Sequence, residues 1–318
     1  MPLEDYIQAF RKLRVNTNSP HKPIMLLAVL QLFQDGRIFQ NRIEYNQDLL
    51  DTYRTLFSTV ATPNDHPNPY FPFFHLGNDG GKQPFWILVP ASGRELILPA
   101  IKSIRSRREL EENIAFVTLA PELFALLHDP IARAALKDDL LDRWFPFKRR
   151  DLEAAMTQET QIHAYMRELW DRTEQPPSTI PKPAAPLPPD QTRDPAFCRV
   201  VREAYDFRCA ASGWRILLPD GCPMVEAAHL IPFSKSHDDD PRNGIALAPT
   251  FHWALDRFLL APGPDLKWHV SPVLDSRIRD NAELLEFHEK KLLLPKKEKL
   301  WPKPEALEWR MQNLLKAS

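Results

Sequence analysis

At 318 residues the chain has room for two ordinary domains, each with a core that can stand without staples. Its 41 Lys plus Arg against 42 Asp plus Glu leave a net charge of -1, which excludes a bulk polycation, so any nucleic-acid contact must come from local patches. Cys198, Cys209 and Cys222 are three in number and lack regular spacing, so they specify neither a disulfide framework nor a four-thiolate zinc site. The opening MPLEDYIQAFRKLRV carries no apolar secretion core, and no run approaches the roughly 18 apolar residues that span a bilayer. A soluble, cytoplasmic chain with no membrane partner is expected.

In chain order, Tyr6, Phe10 and Leu13 predict a first helix over 4–14, ended by a loop with Asn16, Asn18 and Pro20. Pro23 suits the start of a second helix, in which Ile24 to Phe33 read as buried, and Asp35-Gly36 ends it. A polar helix follows over 46–58, then a turn-rich loop from Pro63 to Pro72. The run YFPFFHLGNDGGKQPFWILVP reads as a hairpin of two apolar stretches around a Gly-rich turn, extended by a short strand at Glu95 to Leu98. Leu110 to Phe116 and Pro121 to Trp144 read as helices, the second broken at Asp129-Pro130. Together these make an α+β domain over 1–150, with a connecting helix over 151–175.

Seven of the fourteen positions from Pro176 to Pro189 are proline, a composition that favours an extended spacer. Residues 176–194 are therefore expected to be a linker, with a second domain over 195–318. Basic clusters are Arg105, Arg107 and Arg108, then Lys148, Arg149 and Arg150, then Lys290, Lys291, Lys296, Lys297 and Lys299. The last of these is expected to flank the second core as a DNA or linker contact, or to pack back as a helix through Leu292, Leu293 and Trp301.

The stretch AAHLIPFSKSHDDDPRNGIALAPTFHWALDRFLL carries the chemistry. His229 falls at the end of a predicted strand, Asn243 follows a polar Asp238-Asp239-Asp240 loop, and a strand, a turn at Pro249 and a helix bring in His252 and Asp256. Four residues apart, the last two share one helical face and can converge on one cation. A histidine can take the proton of an attacking water. A divalent ion on His252 and Asp256 can act as Lewis acid on a phosphate. Asn243 cannot titrate and reads as a brace for the His229 loop.

These motifs resemble the HNH, or ββα-metal, endonucleases: AAHLIPFS the first histidine element, DDDPRNG the asparagine loop, FHWALD the terminal helix. The resemblance implies catalysis by His229 as general base with Asn243 and His252, and a metal on His252 and Asp256. Ala228 stands where many relatives have a further ligand, and Glu226 can supply a carboxylate nearby. Magnesium or manganese is expected, and a His plus carboxylate set also suits cobalt or nickel. Ser212 and Ala248 occupy places often held by cysteine in relatives, so no structural zinc is expected. Phe251 reads as packing, and Arg257 faces either a phosphate or a nearby carboxylate.

The elements SPHKPIMLLAVLQLF and NPYFPFFHLGNDGGKQPFWIL resemble the sulfur-binding domain of modification-dependent HNH restriction enzymes. That likeness implies a reader of double-stranded DNA with a backbone phosphorothioate, contacting it through His21, Lys22, Tyr70, Phe73, His75, Arg105 and Arg107, with Arg257 adding a contact from the nuclease domain. The expected whole is an α+β reader, a proline-rich linker and a C-terminal ββα-metal nuclease that restricts phosphorothioated DNA. A reader of methylated bases and a DNA-binding protein without cleavage are the competing readings. One nuclease site per chain requires two protomers, hence a homodimer, or two successive nicks to cut both strands.

Overall fold

The computed structural model describes residues 3–15, 19–81, 84–176 and 187–316. The expected loop residues Asn16 and Asn18 and most of the proline run lie outside them. The chain divides into two compact units: Met1–Thr160 with Leu218–Cys222, and Gln161–Leu217 with Pro223–Ser318. Among the described residues no helix is long and apolar enough to cross a membrane.

The first unit is built on α2 (His21–Gln34), whose residues from Lys22 to Phe33 are all buried. A helix apolar on every side is stable only when surrounded. It packs against α3 (Gln47–Val60), whose N-cap Asn46 accepts a hydrogen bond from the Leu49 amide, and α1 (Leu3–Arg11) adds Tyr6 and Phe10 to the same core.

The expected hairpin does not form. Tyr70–His75 is a short helix, α4, and the carbonyl of Phe73 accepts the indole N–H of Trp86 at 2.8 Å. The second apolar stretch is a strand, β1 (Trp86–Pro90), but it pairs antiparallel with β2 (Ile114–Leu119), in register Trp86↔Leu119. Helix α5 (Arg107–Asn113) therefore ends where a helix through Phe116 was expected. Ile114, Phe116, Val117 and Thr118 are β-branched or aromatic, and Val117 is also bridged to Ile43. No strand forms at Glu95 to Leu98; turns and a 3-10 turn at Leu98–Ala100 take its place. Helices α6 (Pro121–His128) and α7 (Pro130–Trp144) break at Asp129, whose side chain accepts from the Ile131 amide.

Helix α8 (Arg149–Arg172) is more than a connector. Leu152 and Met156 lie in the first unit's core, and Ile162, Tyr165, Met166 and Leu169 in the second's, so the division falls within this helix. The expected linker ends early as well: α9 runs Asp190–Ala204 and includes Pro195 inside it. The Thr192 and Arg193 amides both donate to Pro189, starting the helix before Pro195, whose ring then removes only one later donor.

In the second unit, β3 (Glu226–His229) pairs antiparallel with β4 (Gly244–Leu247). After β3, a short helix α10 (Phe233–Ser236) leads toward the aspartate loop. Helix α11 (Pro249–Asp256) opens on a proline that needs no hydrogen-bond partner there. A second pair, β5 (Leu260–Pro262) with β6 (Trp268–Val270), the short helix α12 (Ala282–Leu285) and α13 (Pro304–Asn313) follow. Lys290 to Lys299 does not pack back as a helix: Leu292 is buried, Leu293 is exposed, and Trp301 donates to the Pro295 carbonyl at 2.9 Å. Several cluster cations are paired locally, Arg108 with Glu112, Arg149 with Asp142, and Lys299 with Glu174.

Gly244, opposite His229 in the sheet, is closely crowded by side chains. A Cβ there would lie 2.5 Å from Val201 Cγ2 and 2.8 Å from Phe197 Cζ, both on α9. Gly244→Ala is expected to lower the unfolding free energy by about 1–3 kcal/mol through overpacking. An unchanged denaturant midpoint would contradict this close approach.

Candidate active site

Strand β3 delivers Glu226 and His229 to opposite ends of one short edge, and α11 brings His252 and Asp256 to it. The His229 ring lies flat on Phe197, with centroids 3.8 Å apart and planes at 2°. Its Nε2 is 2.9 Å from Asp239 Oδ1.

Asn243 is fully buried. Its Oδ1 accepts from the Ile231 amide at 2.9 Å, and its Nδ2 donates to the carbonyls of Ile231 and Asp238, each at 3.0 Å. The Leu230 amide donates to the Asn243 carbonyl at 2.7 Å. One amide thus ties the segment after His229 to the aspartate loop, using hydrogen bonds that would be costly to leave unmade in the interior.

That loop is no solvated run. Asp239 and Asp240 are buried. Burial alone would raise the Asp240 carboxyl, but the hydrogen bond from Arg242, with Lys303 and the Arg242 amide, holds it below the usual carboxylate range. Arg242 in turn donates to the carbonyls of Gln175 at 2.8 Å and Arg172 at 3.1 Å, closing the end of α8.

On the other side, His252 Nδ1 stands 2.7 Å from Glu226 Oε2, and its Nε2 is 3.5 Å from Asp256 Oδ2. Among the described residues no group of three or more His, Cys, Asp or Glu side chains surrounds a common point as a closed metal cage does. The donors nevertheless fit an open site. Nε2 and Oδ2 are close enough to share one ion at about 2.1 Å from each. A carboxylate on the other imidazole nitrogen is the usual brace of a metal-bound histidine, so Glu226 stands where it would orient His252 rather than ligate.

Residues 209–261 match the family model described as HNH endonuclease. This segment is an HNH endonuclease domain. The match takes in β3, the Asn243 turn, β4 and α11, the elements that carry the side chains just described. A solved structure titled modification dependent TagI restriction endonuclease is similar at 20% identity with a TM-score of 0.28, and the overlap covers 37% of this chain and 37% of that one. No curated protein matches the chain.

Around the HNH domain, Phe251 packs edge-on against Phe287, with ring centroids 4.6 Å apart. Arg257 lies over the ring of Trp253 at 5.3 Å. Cys209 is buried, with its Sγ 3.4 Å from the Ser212 amide. Sequence reasoning missed Asp239, Arg193, Tyr165 and Arg310. Arg310 is buried on α13, outside the matched segment, and donates to the carbonyls of His229 at 2.7 Å and Leu255 at 3.0 Å. Its desolvation pushes the guanidinium down to about 10. No local pattern marks such residues, although a run of three aspartates close to His229 was a signal left unused.

In the first unit, His21, Lys22 and His75 do come together. With Arg14, Phe71 and Asn78 they line a cavity of about 440 Å³. Lys22 is buried and its charge is paired, since Nζ donates to Asp79 Oδ2 at 2.5 Å and to the Arg14 carbonyl at 2.8 Å. His21 Nε2 donates to the His66 carbonyl at 3.0 Å, and the Ser19 hydroxyl is 2.8 Å from its Nδ1. Burial and then Lys22 pull the His75 imidazole below its ordinary value, and its buried Nε2 has no hydrogen-bond partner among the described residues. The Phe71 ring lies against it at 4.2 Å.

The remaining expected reader contacts fall elsewhere. Phe73 is fully buried, packed against Trp86 and Tyr45, and so serves the core instead of a DNA surface. Tyr70 packs against that core without lining the cavity. Arg107 pairs with Glu111 and lies over Tyr45, because one helical turn brings the carboxylate beside it. Arg105 does not line the cavity; its amide donates to Glu109 at 2.8 Å.

An open site on His252 and Asp256 predicts that Asp256→Asn combined with His252→Ala removes specific Mn²⁺ binding in calorimetry, while Glu226→Gln alone weakens it about 10-fold or more. A wild-type titration from the double variant would exclude these ligands.

Proposed function

We propose that this chain is a metal-dependent DNA endonuclease of modification-dependent restriction type, with the second unit hydrolysing the phosphodiester and the first selecting the substrate. The observation that carries the reading is the presence, inside the HNH segment, of a histidine held by stacking and a carboxylate on β3, and on the neighbouring α11 of a second histidine flanked by two carboxylates. His229 accepts the proton of the attacking water. Asn243 keeps the loop after His229 in register, so that the imidazole meets the phosphate in one orientation. His252 and Asp256 hold the divalent cation, with Glu226 orienting the imidazole. When bound, that cation supplies Lewis-acid stabilisation of the phosphoryl oxygens and the departing oxygen.

For the mark, the proposal is a backbone phosphorothioate. Sulfur in place of a nonbridging oxygen leaves the group anionic but larger, softer and poorly hydrated. An apolar wall with a few donors suits it better than a dense cation cluster. The cavity beside His75 has that character: Phe71 and a neutral imidazole form one side, the Lys22 charge is answered by Asp79, and Arg14 remains for a phosphate oxygen. A methylated base would instead have to leave the stack and enter a pocket by its edge.

His229→Ala is expected to lower duplex cleavage by about 10²- to 10⁴-fold with duplex affinity unchanged. Wild-type protein inert on every modified duplex with Mg²⁺, Mn²⁺, Co²⁺ or Ni²⁺ would make this a binding protein instead. Separately, full-length protein titrated at fixed salt should bind a stereodefined phosphorothioate duplex at least about tenfold more tightly, or about 1.4 kcal/mol, than its oxygen counterpart. Equal affinities would reject the sulfur reading, and preference for a methylated duplex would replace it.

A further inference from the structure

Asp239 has more partners than a loop aspartate needs. It is buried, and both of its oxygens are engaged: Oδ1 accepts from Arg193 Nη1 at 2.9 Å and faces His229 Nε2 at 2.9 Å, while Oδ2 accepts from Arg193 Nη1 at 3.0 Å and from the Tyr165 hydroxyl at 3.3 Å. Arg193 is itself buried, and is bridged further to Asp190 and Asp194. Burial, then Asp239, pushes the Tyr165 phenol well above its usual range, so Tyr165 remains a donor. Every other group around Asp239 thus gives it a proton to accept. A carboxylate held this way has none to return, so its contact with His229 requires the hydrogen on Nε2.

The ring cannot readily exchange its two nitrogens. It is stacked flat on Phe197, and its backbone carbonyl is held by Arg310 at 2.7 Å. A neutral imidazole carrying its hydrogen on Nε2 has its only basic lone pair on Nδ1.

We infer that Asp239 is the positioning residue of the general base: it selects the Nε2–H tautomer of His229 and thereby makes Nδ1 the atom that takes the water proton. Arg193 and Tyr165, from α9 and α8, orient the carboxylate for that task. The inference rests on the nuclease reading of His229, but the tautomer is a property of the folded protein and is measured without DNA.

The test is long-range ¹H–¹⁵N correlation on the full chain labelled at histidine, at a pH where the imidazole is neutral, with His229→Ala assigning the signals. Wild-type His229 is expected to carry its proton on Nε2. In Asp239→Asn the amide carbonyl faces Arg193 and its NH₂ faces the ring, so the proton should move to Nδ1. For the same variant kcat for cleavage should fall by about 10²- to 10⁴-fold, the range seen when an orienting carboxylate is lost, with KM within about twofold. Tyr165→Phe keeps the carboxylate–imidazole contact and should keep the Nε2–H signal. A wild-type Nδ1–H tautomer, or Asp239→Asn with wild-type kcat, overturns the inference. Should Asp239→Asn fail to fold, the wild-type spectrum and Tyr165→Phe decide it. An absence of cleavage by wild-type protein overturns the nuclease reading alone, since the spectrum still judges Asp239.

Discussion

Behind the HNH segment lies a cluster of buried charge on which the placement of His229 depends. Asp239 and Asp240 have no access to solvent on their side chains, and are answered by Arg193, Arg242 and Lys303. Removing one member of such a cluster leaves a buried charge unanswered, at about 3–5 kcal/mol, whereas an apolar replacement of the whole would often cost nothing. Stability is therefore a weak reason for its presence. Its geometric consequence is specific: Arg193 aims Asp239 at His229, and Arg242 joins the aspartate loop to the end of α8.

The frame around this cluster is unusually short for the precision it provides. Strands β3 and β4 each have four residues, too few to be rigid on backbone pairing alone. Three additions stiffen them: the Asn243 amide bridging two loop segments, α9 pressed so closely that only glycine fits at position 244, and Arg310 gripping the carbonyls of His229 and Leu255 together. The last ties the strand of His229 to the helix of His252 and Asp256 from outside the HNH segment. A small nuclease motif thus borrows its order from the elements that precede and follow it.

The first unit solves a different problem. Its central helix carries a lysine into the interior, and Asp79 meets it there, so the cavity beside it has an aromatic and imidazole wall with little excess charge. Local pairing of Arg107, Arg108 and Arg149 has the same effect on the outer surface. The near-zero net charge of the chain is thus repeated on a small scale, with surface cations answered by nearby carboxylates rather than left as a broad positive field.

What the sequence by itself determined were features that depend on neighbours within a few residues. The buried helix from Ile24 to Phe33, the break at Asp129-Pro130, the strand ending at His229 and the shared face of His252 and Asp256 all follow from helical or strand periodicity and from proline's missing donor. Tertiary structure alone decided the rest. Ile114 to Leu119 is a strand because β1 and Ile43 offer partners far away in the chain, and Tyr70 to His75 is a helix because its partner strand was elsewhere. The Asp238-Asp239-Asp240 run looks solvated in sequence, and Lys22 looks like a surface cation. Asp239 and Lys22 are buried because residues 46 and 57 positions away supply the opposite charge: Arg193 for Asp239 and Asp79 for Lys22. Whether a charged side chain faces water or the interior depends on whether a counter-charge is already there, and that is set by the fold.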